Sequence, residues 1–574
     1  MARGAYEAGC GFGSGYPGTP STEILEYLHP YPSVHTQWGT NEKVGLEVGM
    51  GAVLAGVRTI VTMKHVGLNV AADPFFSSSY MGVNGGLVVV SADDPGMHSS
   101  QNEQDNRWLA KAAKVLCVEP ADPDECCWMA REAFELSERF DSPVLFRMTT
   151  RVCHQTGVVN LSEPRAVAVK GYTPNIRKYI VLPAHARELR HVVERRLQGA
   201  SAFANESDRW NPIFPGSPDI GVVTSGVSFG YVREALPEAS ILKIGFSNPV
   251  PLERIGRFAL GVKRLVVVEE TDPYLEEHIR AAGIPVEGIK HRPYAGELNL
   301  TLVEQALRGK PRERVTVSLK DLNLPVRPPT LCPGCGHRPL FKVLRDLKVH
   351  VMGDIGCYTL GALKPLNAME TCMDMGASIG MTEGLDRFGG EGVAGNTVAV
   401  IGDSTFYHSG ITPLLDMVVN GSRATVIILD NGITAMTGSQ PHAGTGLNVH
   451  GEKAPRVPAA DVCRGVGVKR VVEVNAYDMA ALERVIREEL AADEVSAIVV
   501  QAPCVLTFKV TFGPAVALDA SICDRCGACI RVGCMALRER DGYPEVNVDL
   551  CNGCGDCVQD CTAGALSLAA AKAA

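Results

Sequence analysis

VAVIGDSTFYHSGITPLLDMVVNGSRATVIILDNGITAMTGSQ, residues 398–440, is the stretch on which the fold of this chain turns. Two short aliphatic runs, 398–401 and 425–429, read as buried strands of a parallel sheet. The first ends in Gly402-Asp403-Ser404 and the second in Asp430-Asn431-Gly432, so an acid and an amide stand at the tips of two strands, 28 residues apart. Open parallel sheets bind ligands at such carboxyl ends. Mg2+ prefers octahedral oxygen ligands and often couples a carboxylate to substrate phosphates. Asp403, the Asn431 side-chain oxygen and the Ile433 carbonyl suit one Mg2+ on a diphosphate, with Gly402 allowing close backbone approach. On topology alone, an ordinary pair of α/β turns remains open.

Together with the MTGSQ that follows, the stretch resembles the thiamine diphosphate motif, a Gly-Asp-Gly followed one strand later by asparagine; Ser404 replaces the last glycine. The resemblance implies that Gly402, Asp403, Ser404, Asn431, Ile433, Thr437 and Gly438 contact the cofactor, with Asp403 and Asn431 on the Mg2+. Met436, in the same loop, suits a bulky aromatic substrate.

Downstream, Cys523, Cys526, Cys529 and Cys534 precede Cys551, Cys554, Cys557 and Cys561. The second group is C-x2-C-x2-C-x3-C, the spacing of bacterial ferredoxins, in which the fourth cysteine of a run crosses to the other cluster. This pairs Cys523, Cys526 and Cys529 with Cys561, and Cys551, Cys554 and Cys557 with Cys534, for two [4Fe-4S] clusters. The first run has four residues before its last cysteine, and Met535 and Thr562 stand where proline usually follows. Zinc, which favours separated pairs, and disulfides are the alternatives. Cys10, Cys117, Cys126, Cys127, Cys153, Cys372 and Cys463 lack ligand spacing and read as core residues.

Upstream, YPGTPST at 16–22 opens with turn residues, and Ser21 or Thr22 is placed to cap a helix. NEKVGLEVGMGAVLAG at 41–56 reads as a Gly/Ala-rich helix with an acid at its start. MKHVGLNVAADP at 63–74 reads as a loop carrying Lys64, His65 and Asn69, and DDPGMHSSQNEQDNR at 93–107 as a polar loop ending in Arg107. Arg107 could pair with a substrate carboxylate among surface charges.

The 574 residues are 46% hydrophobic and 21% charged, enough for several domains. The alternation of strands and helices predicts a multidomain α/β fold. It divides into an α/β domain at 1–157, a connector at 158–215, a smaller α/β domain at 216–312, a third α/β domain at 325–512 and the cysteine module at 513–574. No apolar run is long enough for a membrane span, and the N-terminus lacks the layout of a secretory signal, which predicts a cytoplasmic protein. The net charge of −9 is dispersed, and basic residues form no stripe with aromatics, so neither membrane nor nucleic acid is an expected partner.

Taken in order, YPGTPST, NEKV, MKHVGLNVAADP, CPGCGH, the GDS and DNG pair, MTGSQ and the double cysteine run resemble the large (alpha) subunits of indolepyruvate ferredoxin oxidoreductases nearly end to end. These belong to the 2-oxoacid:ferredoxin oxidoreductase superfamily. The resemblance implies two thiamine-diphosphate-binding-type parallel-sheet domains, a smaller α/β domain between them and a ferredoxin-like two-cluster module. It further implies a short segment ahead of ARGAYEAG in most members, Glu42 rather than Glu47 as the acid at the cofactor's aminopyrimidine, and Thr19 on the 2-oxoacid. His65 and Arg107 are further candidates for the catalytic site. Cys332, Cys335, Cys357 and Cys504 resemble the ligands of a third, proximal [4Fe-4S] cluster. The implied reaction converts an aryl 2-oxoacid, coenzyme A and oxidised ferredoxin to an acyl-CoA, CO2 and reduced ferredoxin, with a small beta subunit as partner. Pyruvate- or branched-chain-specific relatives and a non-catalytic electron-transfer subunit are the alternatives.

Overall fold

In a computed structural model of the chain, residues 1–289, 295–313, 322, 324 and 328–568 are described. The chain divides into two compact units, Met1–Val317 and Ser318–Ala574. The limits expected at 325 and 574 lie outside the described residues.

The first unit carries β1 (Phe12–Gly15), β2 (His35–Trp38), β3 (Thr59–Lys64), β4 (Leu87–Asp93), β5 (Leu116–Val118), β6 (Val144–Thr149), β7 (Ile213–Phe214), β8 (Ser217–Ser225), β9 (Ala239–Ile244), β10 (Phe246–Asn248), β11 (Leu265–Val268) and β12 (Glu287–Gly288). They form a seven-stranded sheet, β10-β5-β6-β4-β3-β1-β2, and a five-stranded sheet, β12-β11-β8-β9-β7. Strands β3, β4 and β6 are buried along their whole length, as near-continuous aliphatic runs require. Helix Pro123–Phe140 begins where Asp122 accepts a hydrogen bond from the Glu125 amide and a proline fills the first turn. Antiparallel β10 leaves the second sheet to extend the first beside β5, a step that the alternation of elements did not announce.

Two expectations change here. Residues 65–70 and 72–81 are helices, His65–Val70 and Ala72–Met81, rather than loop. Neither Ser21 nor Thr22 caps its helix by side chain: Ser21 Oγ donates to the Gly18 carbonyl, and Thr22 Oγ1 accepts from the Gly18 amide.

The surface setting expected of Arg107 is overturned. Its side chain is 1% exposed, and its guanidinium donates to Asp105, to Glu269 at 2.8 Å and to the Glu270 and Asp272 carbonyls at 3.1 and 3.2 Å. Thr271 Oγ1 also donates to Asp105, 2.6 Å away. Burial opposes the Asp105 carboxylate, but Arg107 and Arg147 outweigh it and hold the group well below the usual range. Arg107 therefore joins the loop after β4 to the loop after β11, and its donors are already engaged.

The second unit holds β13 (His350–Gly353), β14 (Thr371–Cys372), β15 (Thr397–Gly402), β16 (Thr425–Asp430), β17 (Arg470–Asn475) and β18 (Ser496–Gln501), all parallel in the order β14-β13-β15-β16-β18-β17. Two antiparallel pairs follow, β19 (Val516–Leu518) with β22 (Leu566–Leu568) and β20 (Leu537–Arg540) with β21 (Tyr543–Val546). Short helices Ala528–Arg531 and Asp556–Gln559 carry Cys529 and Cys557.

Replacing Arg107 by leucine leaves Glu269 buried without its cation and Asp105 with Arg147 alone, 3.4 Å away. Urea unfolding of Arg107→Leu should show a loss of about 3–5 kcal/mol in the first unit.

Candidate active site

In the second unit, register decides what meets. Gly402 pairs with Leu429 and Asp430 with Gln501, so β15, β16 and β18 end at one edge. Asp403 is 2% exposed there. Its Oδ2 accepts from the Asn431 and Gly432 amides at 3.1 and 2.8 Å, and its Oδ1 from the Ser404 amide at 2.8 Å. Asn431 Oδ1 accepts from the Ile433 amide at 3.0 Å, and Ser404 Oγ lies 2.9 Å from Thr434 Oγ1. The loop closes where the Thr434 amide donates to the Gln440 carbonyl at 3.0 Å and Thr437 Oγ1 to Gln440 Oε1 at 2.5 Å; Gly438 bends there at φ 118°.

Burial, then the facing Asp403 carboxylate, push Asp430 upward. Two carboxylates turned toward each other are what a cation at this corner would relieve. His442 Nδ1 accepts from the Gly444 amide at 3.1 Å, so the neutral ring carries its proton on Nε2. That Nε2 is 3.2 Å from Asp403 Oδ2 but out of line for a hydrogen bond, which leaves a buried donor at the corner. Oxygen ligands for Mg2+ beside an unspent N–H donor fit a metal-bound diphosphate. Asp430 and His442 carried no signal in the sequence beyond their nearness to Asn431 and MTGSQ.

The scattered cysteines converge on the same edge. Cys332, Cys357 and Cys504 interact electrostatically with one another, as does Cys335 with Cys332 and Cys357. The Cys504 amide donates to the Asn431 carbonyl at 3.1 Å, and Tyr358, next to Cys357, packs against Gly402. Burial pushes Cys335 up to about 12 and Cys357 up to about 11, so these thiols ionise only for a strong electrophile such as a metal centre. Burial also pushes His337 down to about 4 despite Asp403, leaving a neutral ring.

Cys523, Cys526, Cys529 and Cys561 line one cavity of about 120 Å³. Cys534, Cys551, Cys554 and Cys557 line another, which also touches Pro333. These are the two crossed sets expected from the spacing. All the cysteines are free thiols in the described residues, where no three His, Cys, Asp or Glu side chains stand close enough for a single metal ion. Asn552, between Cys551 and Cys554, donates to the Pro333 carbonyl at 3.3 Å, and Tyr477 Oη donates to the Gly334 carbonyl at 2.8 Å. The 332–335 loop and the 551–554 loop are thus in direct contact.

In the first unit, Thr19 lies in the loop after β1, and Glu42 opens helix Glu42–Leu54, capped by Asn41 Oδ1 accepting from the Val44 amide at 2.9 Å. Glu42 is buried against Gly67, where a Cβ would come within 2.5 Å of Oε1. Glu47 instead is exposed and pairs with Lys43. His65 Nε2 lies 3.2 Å from both oxygens of Asn102, and its buried Nδ1 has no hydrogen-bond partner. Lys64 donates to Ser99, whose Oγ donates to the Thr19 carbonyl at 3.2 Å. Burial pushes the Lys64 ammonium down to about 8, against the pull of Asp94.

Residues 354–500 match the family described as thiamine pyrophosphate enzyme, C-terminal TPP binding domain, and residues 3–190 match pyruvate flavodoxin/ferredoxin oxidoreductase, thiamine diP-binding. The parallel sheets and these matches define a thiamine-pyrophosphate-dependent oxidoreductase. Indolepyruvate oxidoreductase subunit IorA of Archaeoglobus fulgidus is 38% identical over 98% of this chain and 95% of its own length; that of Thermococcus kodakarensis is 36% identical over 98% and 94%. The chain belongs to this IorA family of catalytic large subunits. A solved 2-oxoglutarate:ferredoxin oxidoreductase of Magnetococcus marinus is 16% identical over 54% of this chain and 63% of that chain, with a TM-score of 0.43. No helix among the described residues is long and apolar enough to cross a membrane.

Gly334 holds φ 71°, and a Cβ there would meet Asn552 Nδ2 at 2.0 Å. Gly334→Ala should cost about 1–2 kcal/mol for the backbone alone, with the clash adding to it, as a lower urea midpoint.

Proposed function

We propose that the chain oxidatively decarboxylates an aryl 2-oxoacid, indolepyruvate by the name its relatives carry, passing the acyl group to coenzyme A and electrons to ferredoxin. A small beta subunit completes the enzyme, which works in the cytoplasm. The observation that carries this reading is the convergence of Cys332, Cys335, Cys357 and Cys504 beside Asp403 and Asn431, joined by the amide of Cys504 on the carbonyl of Asn431. A decarboxylase that released its product without oxidation would need no cysteine set there.

Asp403, the Asn431 side-chain oxygen and the Ile433 carbonyl would hold Mg2+ with the cofactor diphosphate, and Gly402, Ser404, Thr437 and Gly438 would shape the loop around it. Bound thiamine diphosphate supplies the carbon that makes decarboxylation feasible. Glu42 holds and moves a proton at the aminopyrimidine, a role suited to a buried acid fixed at a helix start. Thr19 contacts the 2-oxoacid, and His65, whose buried Nδ1 has no hydrogen-bond partner, is a candidate to assist. Arg107 has no part in substrate binding, because its donors are spent.

A cleft of about 700 Å³ beside Asn431 has Tyr477, Phe508 and Phe512 in its wall and Arg456 at its rim. Aromatic walls suit an aryl side chain. Each cysteine set holds one [4Fe-4S] cluster, and residues 513–568 form a ferredoxin-like module. The contact of Asn552 with Pro333 would place a cluster on the Cys551 set next to the 332–335 loop, where it would supply one-electron transfer.

Three experiments test this reading. Glu42→Gln should lower kcat by about 10²–10⁴-fold at unchanged iron content; a variant that reduces a viologen acceptor at the wild-type rate would refute the assignment. Anaerobically purified chain should carry about twelve irons, and a value near eight would remove the cluster at Cys332. The chain reconstituted with its small subunit should prefer indolepyruvate and phenylpyruvate over pyruvate in kcat/KM.

A further inference from the structure

Two residues, one in the cofactor loop and one beside it, have no role in the reaction described above. Thr507 Oγ1 donates to Cys504 Sγ at 3.4 Å. Ser439 Oγ lies 2.7 Å from the same Thr507 Oγ1. A hydroxyl has one proton, so if Thr507 gives its proton to the sulfur, its oxygen accepts from Ser439. The chain of donors then runs from Ser439 through Thr507 to Cys504.

Ser439 sits at φ 74°, a left-handed position that glycine would occupy at less strain. Gly438 precedes it in the same loop, at φ 118°. A serine at such a position is explained if its hydroxyl is used, and the use visible in the structure is the contact with Thr507. The loop itself, 436–440, is the one that carries Thr437 and Gly438 at the cofactor corner.

We infer that Thr507 sets the reduction potential of the metal centre held by Cys504, and that Ser439 strengthens this effect from the cofactor loop. The inference rests on Cys332, Cys335, Cys357 and Cys504 holding an iron–sulfur cluster. Reduction adds one negative charge to the cluster and its thiolates. A hydroxyl pointing at a ligand sulfur stabilises that added charge and raises the potential. Polarisation by Ser439 makes the Thr507 proton a better donor. Thr507 is thus a positioning residue acting through Cys504, and the loop that contacts the cofactor is wired by hydrogen bonds to the first electron acceptor.

The test is an anaerobic redox titration of the full chain followed by electron paramagnetic resonance, with iron content measured on every sample. Thr507→Val keeps the shape and removes the donor. At a given potential its Cys504-ligated cluster should be more oxidised by about tenfold in the oxidised-to-reduced ratio, about 59 mV for one electron. The two C-terminal clusters should titrate as in the wild type. Thr507→Ser should restore the wild-type midpoint, and Ser439→Ala should give a smaller shift in the direction of Thr507→Val. A Thr507→Val protein with full iron content and an unmoved midpoint overturns the inference and leaves the cluster assignment standing. A wild-type chain with only two titrating clusters overturns both.

Discussion

The parallel register of β15, β16 and β18 is the constraint on which the second unit depends. Because Gly402 stands beside Leu429 and Asp430 beside Gln501, the chain leaves all three strands at one edge of the sheet. Asp403, Asn431 and Cys504 are therefore neighbours although they are far apart in sequence. The Cys504 amide on the Asn431 carbonyl is the joint between an oxygen-rich corner and a sulfur-rich one. A slip of one residue would reverse the side chains of a strand and separate the two chemistries.

Burial gives that joint its chemical character. Thiols at Cys335, Cys357 and Cys554 are pushed up to about 12, 11 and 12, so these thiols keep their protons at neutral pH. A metal centre held by these sets would have to release those protons, which would couple its binding to pH and to folding stability. Oxygen shows the same effect at Asp430, whose carboxylate is pushed up by burial and then by the facing Asp403.

In the first unit the largest electrostatic investment is elsewhere. Arg107 and Arg147 are surrounded by Asp93, Asp105, Glu119 and Glu269 at the meeting of two sheets, all nearly inaccessible to water. Such a cluster is weak evidence of net stability, but it is intolerant of losing one member. Glu42 lies apart from it, held by Asn41 at the helix start and by the absence of a side chain at Gly67. Position there is secured by sterics and capping rather than by an ion-pair network.

Strands β3, β4, β15 and β16, helix Pro123–Phe140, the Asp403/Asn431 pair and the crossing of the two C-terminal cysteine runs were legible in the sequence, because each is written in local periodicity or fixed spacing. Arg107 was misread because a cation in a polar loop looks exposed until the loop after β11 closes over it. The helix His65–Val70 was misread because glycine and asparagine lower local propensity, and packing against Glu42 overrides them. His442, Thr507 and Asn552 have no spacing that would mark them. The sequence by itself determined which ligand types are present and which neighbours along the chain share a strand tip. Only the tertiary structure decided which tips meet and which cysteine loop touches the next, because hydrogen-bonded register and loop packing join residues that no local pattern connects.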